Sequence, residues 1–396
     1  MKQQPGGALD ALTGLRFLAA LHVVLFHFGT ACLKDVAPEW VVHLVGSGYA
    51  SVGVFFLLSG FVLAYNYVDA GGGMGTAPRA FWSARVARVY PVFLLMFLLS
   101  AAPTMGASLA VNSLPVAAAK LGTAGLTTLA LLQAWVPRLA LYWNPPSWSV
   151  SVEAFFYAVF PALARRLAPF RGARMTAALV GVWLLGLVPP VLYVALRPDG
   201  PGTLDVAFTG LWLSVVKFNP LLRLPEFLLG VLLGLVFVRE RAASRPPRSG
   251  AVMALAGAAL LLAGFSQGGW IPYPLMHNAL LAPASALLVY GLARGGGPLG
   301  RLLARPWLVH LGGASYALYL LQYPVSEFVH WLERYVDLTS PSRFLAVLLV
   351  VLVPASVAVH RWVETPWRAK VKRGLQPWVE GGDSARAAPA RMAPGA

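Results

Sequence analysis

Residues 15–28 read LRFLAALHVVLFHF, an apolar run of membrane-helix composition that carries three ionisable side chains, Arg16, His22 and His27. A charge in a bilayer core costs at least a few kcal/mol, so such groups persist where they line a cavity or meet a partner. Arg16 and His27 are eleven residues apart. At 100° per residue they finish about 20° apart around a helix, on one face, and about 16 Å apart along its axis. His22 points about 140° away from His27. The pair therefore predicts a polar track running into a membrane protein from one surface.

Composition agrees with that reading. The chain has 396 residues, 58% hydrophobic and 12% charged, with a mean hydropathy of +0.67. Soluble domains carry about 25% charged residues, so an integral membrane protein is expected, all-α because a chain this apolar must satisfy its own backbone in lipid. The net charge of +16 does not point to nucleic acid, because the cations gather in short loops between apolar runs. The single cysteine, Cys32, excludes an intramolecular disulfide and a thiolate metal cluster. No metal site is expected. Gly29-Thr30-Ala31-Cys32 faintly resembles a lipoprotein cleavage site, but Arg16, His22 and His27 do not belong in a secretion signal, and the segment reads as a retained first span.

Apolar runs near 13–31, 49–67, 89–103, 148–164, 176–196, 221–238, 250–265, 277–293, 308–332 and 343–363 predict a polytopic bundle of about ten transmembrane helices. Clusters at Arg79, Arg85 and Arg88, at Arg165, Arg166, Arg171 and Arg174, at Arg239, Arg241, Arg245 and Arg248, and at Arg294, Arg301 and Arg305 follow alternate runs. Lys34, Lys120, Arg138, Arg197, Lys217 and Arg334 lie in the opposite loops. Ten crossings with both termini cytoplasmic put every basic cluster inside, in a bacterial inner membrane. Making 122–136 a crossing breaks that parity, so it is expected to be re-entrant or interfacial; 206–216 is ambiguous. One membrane domain is expected over 1–368. A basic cytoplasmic tail follows over 369–396 with Arg386 and Arg391, disordered from about 375. No internal repeat suggests an inverted-repeat transporter.

Several motifs carry chemistry. Gly53 and Gly60 share a helix face and favour close packing, with Ser59 between them. Arg85 and Arg88, at i and i+3, present adjacent guanidinium forks suited to phosphate, or serve as an ordinary positive-inside anchor. In Pro145-Pro146-Ser147-Trp148-Ser149-Val150-Ser151-Val152-Glu153, a helix start places Glu153 one to two turns inside the membrane, on a face shared with Ser149 and Tyr157. Arg223 and Glu226 read equally as an ion pair and as site residues. Ser315, Tyr319 and Gln322 fall near one face, and Glu364-Thr365-Pro366 reads as a helix end.

Together these motifs resemble the acyltransferase 3 family of bacterial membrane O-acyltransferases over roughly residues 10–368. The marks are Arg16-x10-His27, the 53–61 run, Arg85-x-x-Arg88-x-x-Pro91, the 146–153 run, Asn219-Pro-x-x-Arg223-x-x-Glu226-Phe227, Ser315-Tyr-x-x-Tyr319-Leu and Glu364-x-Pro366. The resemblance implies transfer of an acyl group, commonly acetyl, from an acyl-CoA donor such as acetyl-CoA to a hydroxyl of a carbohydrate or glycosylated acceptor, expected to be a surface polysaccharide or its lipid-linked precursor. In some members the acceptor is a macrolide. Gln322 stands where many members have histidine. No extracytoplasmic hydrolase-like domain accompanies the run, so a stand-alone transferase is expected.

On that reading His27 is the general base or transient acyl carrier, and Arg16 holds the donor or polarises its carbonyl. Arg85 and Arg88 attract coenzyme A phosphates, and Glu153 orients His27 or the acceptor. Ser59, Trp148, Tyr157, Arg223, Glu226, Tyr319 and Gln322 complete the expected substrate-binding set. A transporter or flippase is the competing class, because it would use the same buried charges for passage. A membrane scaffold needs none of them.

Overall fold

Long apolar runs capped by proline and small polar residues become helices in the computed structural model, which describes residues 8–202, 204, 210–243 and 250–380. The principal helices are α1 (Ala8–Phe28), α2 (Ser51–Tyr67), α3 (Pro78–Leu99), α4 (Ala101–Val111), α5 (Leu114–Leu129), α6 (Trp148–Leu167), α7 (Gly172–Leu196), α8 (Leu211–Phe218) and α9 (Pro220–Ala242). They are followed by α10 (Gly250–Ser266), α11 (Ala282–Ala293), α12 (Gly297–Leu303), α13 (Ser315–Leu332), α14 (Pro341–Val359) and α15 (Thr365–Gly374). Among the described residues the only β feature is the isolated bridge Val68–Met74.

Each of the ten expected runs is helical, and seven helical segments are long and apolar enough to cross a bilayer. An eighth counts if Ala279–Ala293 and Gly297–Leu303, bent by 81°, form one span. Gly250–Ser266 is a shorter apolar helix. The 18-residue α13 is diluted by Gln322, Ser326, Glu327 and His330. The third run starts earlier than hydropathy suggests. Pro78, at the first helical position, opens α3 eleven residues before Val89, so Arg79, Arg85 and Arg88 lie within the helix rather than before it. The 122–136 stretch is half helix and half loop: α5 ends at Leu129, and Gln133 and Ala134 are buried against α6, where the Ser147 carbonyl accepts from Gln133 Nε2. Residues 206–209 of the ambiguous 206–216 run lie outside the described residues, and the rest belongs mainly to α8.

The tightest pairing is α2 on α9. A Cβ on Gly60 would sit 2.1 Å from the Phe227 carbonyl oxygen, and one on Gly230 would sit 1.9 Å from that of Leu57. Glycine is required at both because the backbones touch, so packing accounts for these glycines. Around the seam lie Phe56, Phe61, Phe156, Phe160 and Phe227, all fully buried.

The basic helix ends converge. Arg241 donates to the Tyr65 hydroxyl, Arg239 to the carbonyls of Ala168 and Phe170, and Arg85 to the Tyr67 hydroxyl. Arg245, Arg248, Arg386 and Arg391 lie outside the described residues. The C-terminal segment differs from expectation. Pro366 does not end the last span: a π-helical turn, His360–Glu364, leads straight into α15, with Pro366 in its first turn, where a missing N–H costs nothing. Residues 376–380 add a further helical turn, where the sequence suggested an unstructured tail from about 375. Residues 381–396 lie outside the described residues.

Candidate active site

α1, α2, α3, α6 and α13 meet around two small cavities that share Arg16, Phe55, Glu153 and Tyr316. One, of about 80 Å³, adds Ser59, Arg85, Arg88 and Tyr157. The other, of about 50 Å³, adds Ser149, Ser315 and Tyr319. Six expected site residues on four helices, Arg16, Ser59, Arg85, Arg88, Glu153 and Tyr157, thus line one cavity, and the four-residue spacing of α6 brings Tyr157 beside Glu153. The Glu153 carboxylate accepts from the Tyr157 hydroxyl at 3.0 Å. Arg16 has no hydrogen-bond or ion-pair partner among the described residues, so an unengaged guanidinium faces the cavity.

Arg85 and Arg88 do not form the adjacent pair of forks that their spacing suggested. Arg85 turns to α2 and donates to the Tyr67 hydroxyl at 2.8 Å, its guanidinium 5.3 Å from that ring centroid. Arg88 turns to the C-terminal segment and forms an ion pair with Glu364, whose other oxygen accepts from His360 Nδ1 at 3.1 Å. Spacing of i and i+3 fixes a shared helix face but not the partner each long side chain finds. Both still line the cavity, yet the charge of Arg88 is already matched by a carboxylate.

His27 lies at the other end of the α1 face. It lines neither cavity. Its Nδ1 is 2.8 Å from Gln322 Oε1, while Gln322 Nε2 donates to the Tyr319 carbonyl at 2.7 Å. The second bond fixes the amide, since only the NH2 group can bond a carbonyl; Oε1 must accept, so Nδ1 of His27 carries the proton. The neutral ring then keeps its lone pair on Nε2. Tyr323 stacks edge-on against the same ring, with centroids 5.3 Å apart. His22 is committed elsewhere: Nδ1 bonds Ser51 Oγ at 2.8 Å and Nε2 the Leu44 carbonyl at 2.7 Å.

Three expected substrate-binding residues are core instead. Arg223 is fully buried, paired with Glu226 at 2.9 Å and donating to Asn278 Oδ1 at 2.7 Å. Glu226 packs on Gly53, where a Cβ would meet its Oε1 at 2.6 Å. Trp148 is sandwiched among Phe56, Phe218 and His277. None of the three lines either cavity. Sequence reasoning missed Tyr316, which faces both cavities, and the role of Glu364. An acid at the end of an apolar span was the available signal for Glu364, and Tyr316 stood within the Ser315-Tyr-x-x-Tyr319-Leu run without being given a role.

Comparison with known proteins fits this architecture. Residues 9–361 match the profile of a family described as an acyltransferase domain. The acyltransferase MdmB of Streptomyces mycarofaciens is 30% identical over 375 residues, covering 90% of this chain and 91% of that protein. A putative O-acetyltransferase of Staphylococcus aureus strain MSSA476 is 21% identical over 390 residues, and the match spans 95% of this chain but 58% of the relative. Over 102 residues, 26% of this chain, protein 2 in the picA locus of Rhizobium radiobacter is 37% identical and is matched over 49% of its own length. No solved structure matches significantly. The chain belongs to the acyltransferase 3 family and is a multi-pass helical O-acyltransferase.

Proposed function

We propose that the protein moves an acetyl or other short acyl group from acyl-CoA to a hydroxyl of a carbohydrate or glycosylated acceptor, in a bacterial inner membrane with its basic helix ends cytoplasmic. The observation that carries the reading is Arg16, without a hydrogen-bond or ion-pair partner among the described residues, in one cavity with Glu153 and on the helix face that ends at His27, whose Nδ1 donates to Gln322. Arg16 and Arg85 then meet the anionic or carbonyl portion of the donor. Arg88 contributes only if Glu364 releases it, which revises the paired-fork assignment.

The chemistry follows from the groups. His27 Nε2 takes the proton as the acceptor hydroxyl oxygen attacks the thioester carbonyl carbon. The resulting oxyanion is stabilised by a guanidinium or hydroxyl donor, a preorganised charge in a site shielded from water. Collapse breaks the carbon–sulfur bond, and the departing thiolate recovers the proton from His27, giving ester and free coenzyme A thiol. The two Arg16 cavities are small and His27 lines neither, so the space between Arg16 and His27 must open for a thioester held at Arg16 to reach Nε2.

A roomier cavity of about 480 Å³ suits the acceptor; it is lined by Asn112, Lys120, Tyr142, Trp143, Tyr323 and Glu327 among others. Aromatic faces beside hydroxyl, amide and charged groups match the apolar and polar faces of a sugar ring. Tyr323 both lines this cavity and packs against the His27 ring. The test is purified protein in lipid nanodiscs with radiolabelled acetyl-CoA and a panel of glycosides and macrolides. Ester formation with release of coenzyme A thiol supports the reading and the panel selects the acceptor class. Passage of label across the bilayer with the acyl bond intact supports a transporter.

A further inference from the structure

At the end of the bundle opposite the basic clusters, a separate cavity of about 340 Å³ opens between the Pro137–Leu141 loop and α8. Lys217 lines it and is 7% exposed. Its ammonium lies 5.0 Å from the ring centroids of both Phe218 and Tyr273. Among the described residues it makes no hydrogen bond and no ion pair. Arg138, on the exposed loop, faces the same cavity and is likewise without a partner there. Ser214 adds a hydroxyl, and no lining residue is acidic. The nearby Asp199 is already engaged, accepting from the N–H groups of Trp212 and Leu213 at 3.1 and 2.8 Å and from the Tyr193 hydroxyl at 3.0 Å.

A desolvated ammonium held only by aromatic faces is under-compensated, because cation–π contacts recover only part of what burying the charge costs. Two cations that converge on one cavity without a carboxylate present an anion site. The space lies in the range of small-ligand pockets, roughly 300–1,000 Å³, and is far larger than a halide needs. Charge and size together suit a phosphate oxyanion carrying a substituent, and the position near the start of the Leu211–Ala242 segment, long and apolar enough to span a membrane, suits a molecule anchored in the membrane.

We propose that Lys217 and Arg138 form a phosphate-binding site, distinct from the acyl-transfer cavities. The ligand chemistry is a phosphate group, whether free, on a phospholipid or on a polyprenyl carrier. The site stands independently of acyl transfer, and its test uses no acyl donor. Full-length protein in a phosphorus-free maltoside detergent is melted with inorganic phosphate, with phosphatidylglycerol and with farnesyl phosphate, and bound ligand is counted by native mass spectrometry. At least one arm should stabilise the wild type, and that arm names the source. Lys217→Met should melt no lower than wild type without ligand and need about tenfold more ligand for the same shift, the loss of one charged contact. Lys217→Arg should respond as wild type. Arg138→Gln, on an exposed loop, keeps the test open if Lys217→Met does not fold. The proposal is overturned if no phosphate stabilises the wild type, or if Lys217→Met and Arg138→Gln respond undiminished.

Discussion

His27 Nδ1 and Gln322 Oε1 lie 2.8 Å apart, and this one bond sets which nitrogen of the imidazole carries the proton. The amide does so because its own NH2 group is held by the Tyr319 carbonyl. A glutamine at this position therefore fixes the tautomer of a neutral base while shuttling no proton itself. Replacing it with Gln322→Leu removes the acceptor and frees the ring. Turnover should fall at least about tenfold, or 1.4 kcal/mol in the barrier, with little change in KM for donor or acceptor. Steady-state kinetics on folded protein check this, and a change confined to KM contradicts it.

Glu153 shares its cavity with Arg16 and accepts from Tyr157. Glu153→Gln keeps shape and can still accept that hydrogen bond, but removes charge. Turnover should drop by about tenfold or more while the melting temperature changes modestly. Retained activity would make Glu153 a structural acceptor.

The Arg88–Glu364 pair ties α3 to the C-terminal segment. Removing one partner leaves the other charge uncompensated; for a fully buried pair that costs about 3–5 kcal/mol, and less here because Arg88 is partly exposed. Arg88→Met with Glu364→Leu should be more stable than either single variant. A double-mutant cycle on melting reads the coupling, and additive effects contradict it.

The α2–α9 seam predicts a contrast between two glycines. Gly230→Ala forces a methyl into the Leu57 carbonyl and should destabilise by about 1–3 kcal/mol or prevent folding. Gly106→Ala meets nothing within 4 Å, and alanine suits a helix better by roughly 0.5–1 kcal/mol. Thermal melts of both variants in detergent should move in opposite directions.

Much of this architecture was legible in the chain. Apolar runs located the helices because lipid demands continuous internal hydrogen bonding. Periodicity placed Arg16 and His27 on one face and turned His22 away. The 16 Å rise between them also told against their sharing one small cavity, and they do not. Hydropathy misplaced the start of α3, because Arg85 and Arg88 are held inside by partners that a window average ignores. The Arg223–Glu226 spacing revealed a pair; that the pair is sealed in the core depends on His277, Asn278 and Gly53 from distant segments. Such choices are tertiary and leave no local trace.

The central claim is that His27, and not His22, is the base. Initial rates of acyl transfer are measured per folded molecule for wild type, His27→Ala and His22→Ala, with folded protein quantified by monodisperse elution and melting. The account predicts a loss of about 10²–10⁴-fold for His27→Ala and near-normal rates for whatever His22→Ala protein folds. A His27→Ala enzyme that keeps wild-type turnover, or equal losses in both variants, contradicts it.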